Sequence, residues 1–311
     1  MVTGEYAQAV EQARNQIQAM MVERRIPGLS VAVSVAGRLI WSEGFGYADQ
    51  ERQIPACPHT QFRIASVSKT LTAAAMARLY EQGRLDLDAP IQKYAPGFPD
   101  KGQVIAARQL ASHRSGIRSY RDDLEAADLG HCRSVTDSLE MFKDDPLVFA
   151  PDGDFLYTGF GYALLGVAIE GASGEDFLSY IRRQVFDPLQ MNHTVEDRAG
   201  LRAPNQSQFY DHVTPYSMDG QVRLSPPADF SCKFPSGGFI STAEDLARFG
   251  SAHIPSLNSG FLKAETLELL FTPRTRQAGI MGHRLGWMSA RDLRLRRAHF
   301  QFGAGSGATS V

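Results

Sequence analysis

The sequence predicts an α+β fold: an antiparallel β-sheet flanked by helices, with a mainly helical domain inserted into it. Three observations predict this. A helical stripe near the N-terminus leads into two strand-like runs joined at Ala36-Gly37-Arg38. Residues 84–230 read mainly as helices and loops. Beyond about residue 230, short strand-like runs return. The expected division is a discontinuous sheet domain, residues 1–65 with 231–311, around a helical domain, 66–230. A cleft between the two is the natural place for a site.

Each element follows from its local pattern. In residues 5–25, Tyr6, Val10, Ala13, Ile17 and Met20 recur at helical spacing, and Pro27-Gly28 ends the helix. Leu29, Val31, Val33 and Val35 alternate with small residues, as in a half-buried strand, and Leu39 to Phe45 returns as its partner. TLTAAAMARLY, from Thr70, is rich in helix formers, with Gly83 as the stop. Helices are expected over 161–174 and 175–189, the second stopped near Pro188. SGGFISTAEDLARFG pairs a short strand with a helix capped by Ser241 or Thr242, with Glu244 and Asp245 in its first turn. LGWMSA and RRAHFQF complete the strands.

Composition excludes several function classes. Of 311 residues 43% are hydrophobic and 21% charged, an ordinary globular profile, and a net charge of −2 gives no case for nucleic acid or an anionic membrane. No apolar run is long enough to span a bilayer. Cys57, Cys132 and Cys232 are odd in number and far apart, and read as free thiols of a reducing compartment. The first residues contain no apolar signal core. The chain as given is therefore expected in the cytoplasm, with a periplasmic or secreted place open if an upstream signal is removed. HExxH, zinc-spaced Cys/His sets, GxSxG and phosphate loops are absent, so no metal or cofactor is expected.

What remains is FRIASVSKTLT, residues 62–72, in which Ser66 and Lys69 stand three apart at the start of a helix. That spacing puts Lys69 one turn on, on the same face as Ser66. A serine hydroxyl becomes a nucleophile when a base takes its proton, and a lysine serves as that base only while neutral, a state burial favours. The chain has six lysines, which adds weight to this one. Ser68 points about 100° away from the pair. Tyr157, in FLYTGFGYALLG, stands at a turn into an apolar helix, where a phenol passes a proton or simply packs. His113, in LASHRSGI, reads as a structural residue holding a loop.

Together FRIASVSKTLTAAAMARLYEQGRLDLDAPIQKY, LASHRSGI, FLYTGFGYALLGVAIEGASG and SGGFISTAEDLARFG occur in the order and spacing of serine hydrolases related to class C β-lactamases and penicillin-binding proteins. The resemblance runs from about residue 5 to the C-terminus and is closest to the mitochondrial lactamase-like serine protease branch and its bacterial relatives. It implies a β-lactamase/transpeptidase-like fold, Ser66 as acylated nucleophile and Lys69 as its base. Tyr157 becomes the general acid/base, and the Ser66 backbone N–H half of an oxyanion hole. The substrate implied is a small molecule or peptide with an ester or amide bond.

Two positions depart from the family. The Y-x-N box reads Tyr157-Thr158-Gly159, without the amide that often holds the lysine and the substrate carbonyl. The third box, K/H-T-G in the family, reads Gln301-Phe302-Gly303 in the gapless register, with His299 two residues early as the alternative. Both favour an esterase or peptidase over a true β-lactamase. The alternative reading is an impaired member that binds or self-assembles. The sequence stops at Val311, inside the strand after the third box, so an exposed edge there is expected to allow self-association.

Overall fold

The computed structural model describes residues 4–198, 205–212, 222–225, 227–257, 259–272, 281–291, 296–305 and 307–311. Parts of the expected helical middle, 199–204, 213–221 and 226, lie outside the described residues.

The N-terminal stripe becomes α1 (Ala7–Glu23). Tyr6, Val10, Ala13, Ile17 and Met21 pack against Ile40, Trp41 and Phe45. Met21 takes the place expected for Met20, because four residues on from Ile17 completes the turn more nearly than three. β1 (Gly28–Val35) and β2 (Arg38–Asp49) pair antiparallel, from Gly28↔Gly46 to Val35↔Arg38, with an irregularity at Val33/Ser34. β3 (Ile54–Pro55) adds to the other edge of β2.

β4 (Phe62–Arg63) runs into a 3-10 turn, Ala65–Val67, and then α2 (Ser68–Glu81). Leu71, Ala73, Ala74, Ala75, Met76 and Leu79 are fully buried, so α2 is surrounded rather than one-faced. α3 (Ala107–Ala111), α4 (Asp123–Ala127), α5 (Gly159–Ser173) and α6 (Phe177–Ile181) follow. Thr158 caps α5, its Oγ1 accepting from the N–H groups of Phe160 and Gly161. Beyond α6 the helix widens over Arg182–Phe186 and stops before Pro188.

β5 (Val195–Glu196), β6 (Tyr210–His212) and β7 (Val222–Leu224) precede α7 (Phe234–Gly237), β8 (Phe239–Ser241), α8 (Ala243–Ala252) and α9 (Ala264–Phe271). Thr242 caps α8 by accepting from the Asp245 N–H at 3.2 Å. β9 (Met281–His283), β10 (Met288–Arg291), β11 (Arg297–Phe300), β12 (Gly303–Gly305) and β13 (Ala308–Ser310) close the described chain. Strand ladders are antiparallel throughout: β1-β2-β3, β4-β8-β5, β6-β7, β11-β10-β9 and β12-β13. One continuous core joins α2, α5, β8 and α9 through residues such as Leu71, Leu164, Phe239 and Leu267.

The cysteine reading is corrected. Cys132 and Cys232 form a disulfide, and Cys57 alone is free and exposed. One hundred residues separate the pair in sequence, and folding of the loop before Thr136 against the segment before α7 brings them together. The inference of a reducing compartment from unpaired thiols therefore falls.

Candidate active site

The site begins where β4 turns into α2. Ser66 lies in the 3-10 turn, and the residue before it, Ala65, has φ +41°, in the left-handed region that costs a residue with a Cβ about 1–3 kcal/mol. β12 runs alongside this turn. A Cβ on Gly303 would lie 2.1 Å from the Ile64 carbonyl oxygen, so only glycine allows the strand this close. Ser310 Oγ donates to the same carbonyl at 2.7 Å.

Lys69 is 3% exposed, and its Nζ lies 3.1 Å from Ser66 Oγ. It also donates to the Ser236 carbonyl at 2.6 Å. The second contact aims the amine: with one proton committed to Ser236, the nitrogen is held against the serine hydroxyl. The rings of Tyr157 and Tyr162 stand 4.8 and 5.6 Å from Nζ. Ser68, as its helical angle requires, takes no part; its buried hydroxyl has no hydrogen-bond partner.

Tyr157 immediately precedes the Thr158 cap, so the start of α5 fixes where it stands. His113 fixes it from beneath. Its ring lies 4.3 Å from that of Tyr157, and its Nδ1 accepts from the Thr158 N–H at 3.2 Å. Burial, with the positive charge of Lys69 and then His283 nearby, holds the His113 imidazole well below its usual range, so it stays neutral. The structural reading of His113 agrees with these contacts.

Of the third-box candidates, Gln301 is beside the pair. Its Nε2 lies 3.4 Å from both Tyr157 Oη and the Ser66 carbonyl oxygen, and the side chain is 7% exposed. His299 is engaged elsewhere: Nδ1 is 2.5 Å from Ser289 Oγ, and the ring stacks on Phe271 at 4.0 Å. Ser66, Lys69, Tyr157, Gln301 and Gly303 thus converge, and His299 does not join them.

Three contributors escaped the sequence reading. Ser236 acts through its carbonyl, which any residue possesses, so no side-chain signal pointed to it. Lys233 is one of the six lysines and stands three residues before Ser236; it is 8% exposed, donates to the Ala126 carbonyl, and is pushed down to about 8 by burial and by the charge of Lys69. Tyr120 lies just beyond LASHRSGI, and its hydroxyl occupies the space beside Gly159.

A family profile described as Beta-lactamase matches residues 13–310. The serine beta-lactamase-like protein LACTB, mitochondrial, of Homo sapiens is 33% identical over 348 residues, covering 86% of this chain and 63% of that protein. The chain thus spans less than two thirds of that relative. Among solved structures, the octameric penicillin-binding protein homologue from Pyrococcus abyssi superposes with a TM-score of 0.81 at 24% identity, over 95% of this chain and 68% of that one. The D-amino acid amidase from Ochrobactrum anthropi SV3, complexed with L-phenylalanine amide, gives 0.81 at 23% identity, over 97% and 86%. These two likenesses are of fold.

Proposed function

The chain belongs to the beta-lactamase family, and from that premise we propose that it hydrolyses an ester or amide through an acyl-enzyme on Ser66. The observation that carries the reading is Lys69 Nζ, buried, 3.1 Å from Ser66 Oγ and anchored by the Ser236 carbonyl. Lys69 takes the hydroxyl proton as Ser66 Oγ attacks the substrate carbonyl carbon. The oxyanion that forms is held by the Ser66 N–H and by a donor from β12. Tyr157, beside Lys69, returns a proton to the leaving alcohol or amine as the bond to it breaks. Water then attacks the acyl group by the reverse proton route and frees Ser66.

Gly159 and Gln301 argue for an esterase or peptidase over a β-lactamase: neither supplies an amide at the second box nor a cation at the third. Ser66, Lys69 and Tyr157 come from residues 66–230, and Ser236 and Gln301 from 231–311, so the proposed site draws on both parts of the chain. The test is intact-mass spectrometry after incubation with a fluorophosphonate and, separately, benzylpenicillin, beside Ser66→Ala. A fluorophosphonate adduct absent in Ser66→Ala is expected. No adduct on the folded protein overturns the hydrolase reading in favour of a binding role.

A further inference from the structure

Tyr120 is the side chain at this site that the proposed chemistry leaves without work. Gly159 lies two residues after Tyr157, in the first turn of α5. A Cβ built on Gly159 would fall 2.2 Å from Tyr120 Oη and 2.8 Å from its Cζ. No side chain on residue 159 and the observed Tyr120 coexist, and the phenol fills the place that such a side chain would take.

The ring is held there. It meets Phe160 edge-on at 4.9 Å, and Lys233 Nζ lies 5.3 Å from its centre. Its phenol shares a hydrogen bond with the Ser236 side chain and lies within electrostatic reach of Tyr157. Ser236 also holds Lys69 through its carbonyl, and the Tyr157 hydroxyl lies 3.4 Å from Gln301 Nε2. Tyr120 therefore borders the proposed site, on a segment none of the proposed catalytic groups uses. It is only half-buried, unlike Tyr162 behind it.

We propose that Tyr120 is a substrate-facing residue whose hydroxyl donates a hydrogen bond to an acceptor oxygen on the acyl part of the substrate. The inference rests on the hydrolase reading above and names the substrate class for it. Burial pushes the phenol up to about 12, so it stays protonated across the physiological range and acts as a donor. A protonated phenol brings one O–H donor to the site. The site then favours acyl groups that present an ether or carbonyl oxygen near the scissile bond.

The test uses two esters of equal length, p-nitrophenyl methoxyacetate and p-nitrophenyl butyrate, which differ by an oxygen for a methylene. The wild-type chain, Tyr120→Phe and Gly159→Ala are compared; the last displaces the hydroxyl without removing it. One neutral hydrogen bond is worth about a factor of ten at most. The kcat/KM ratio, methoxyacetate over butyrate, is expected to fall about tenfold in both variants, while fluorophosphonate still labels Ser66. Equal losses on the two esters in Tyr120→Phe would reduce Tyr120 to a structural role and overturn the inference, as would an unchanged ratio. Wild-type protein that is unlabelled and inactive on both esters would overturn the hydrolase reading, and this inference with it. Labelled wild-type protein with no shift in ratio in the variants overturns the inference alone.

Discussion

Gln301 Nε2 lies 3.4 Å from Tyr157 Oη, so an uncharged amide faces the proposed proton-transfer phenol. The same nitrogen is 3.4 Å from the Ser66 carbonyl oxygen. At this position the site thus offers a neutral amide and not a cation to a substrate carboxylate. Gln301→Lys is expected to raise kcat/KM for carboxylate-bearing substrates such as benzylpenicillin about tenfold relative to a neutral ester, a gain of ~1.4 kcal/mol. Paired kinetics on the two substrates measure it. An unchanged ratio would mean that Gln301 does not face the substrate.

Acid is expected to destabilise the protein before its carboxylates are protonated. His253 is 3% exposed; its Nδ1–H donates to the Phe249 carbonyl at 2.8 Å, and its Nε2 is buried without a partner. Burial pushes it down to about 4 from 6.5. Between those values the unfolded chain binds a proton that the folded one refuses. Stability therefore falls as pH drops from 6.5 towards 4, by up to roughly 3 kcal/mol from this group. His113, facing Lys69 and His283, acts in the same sense. Thermal melts across that window should show the fall, and His253→Gln should flatten it. Parallel profiles for the two proteins would remove His253 as a cause.

Lys233 acts in the same sense on the alkaline side. Its folded value of about 8 lies below the ordinary 10.5. The unfolded chain holds the extra proton between those values, so stability rises as pH climbs from 8 to 10.5, by roughly 3 kcal/mol. Lys233→Met abolishes this rise and is more stable than the wild type at pH 7. Denaturant titrations at pH 7 and 9.5 provide the check.

The Cys132–Cys232 bridge ties the loop ahead of Thr136 to the segment that carries Lys233 and Ser236. Closing a loop of this length is worth about 2–5 kcal/mol. Reduction, or the pair Cys132→Ser and Cys232→Ser, is expected to lower the melting temperature by several degrees. It should also slow Ser66 labelling, because the Ser236 carbonyl that holds Lys69 is less firmly placed. Labelling at an unaltered rate in the reduced, folded protein would separate the bridge from the site.

The sequence by itself determined the local elements and the proposed Ser66–Lys69 pair. Periodicity marked α1 and the β1–β2 hairpin, and helix-forming or apolar runs ending at glycine marked α2 and α5, since each signal is written in consecutive residues. The three-residue step from Ser66 to Lys69 is likewise a property of one helical turn. A cap at Ser241 or Thr242 was legible for the same reason, and the structure uses Thr242. Tertiary structure decided everything that joins distant segments. It paired Cys132 with Cys232, set Gln301 and not His299 beside Tyr157, and used the Ser236 carbonyl to hold Lys69. It also put the Tyr120 hydroxyl where Gly159 has no side chain. None of these leaves a repeat or a spacing in the chain, because each is a contact between backbones or side chains whose separation in space is set by packing of the whole core.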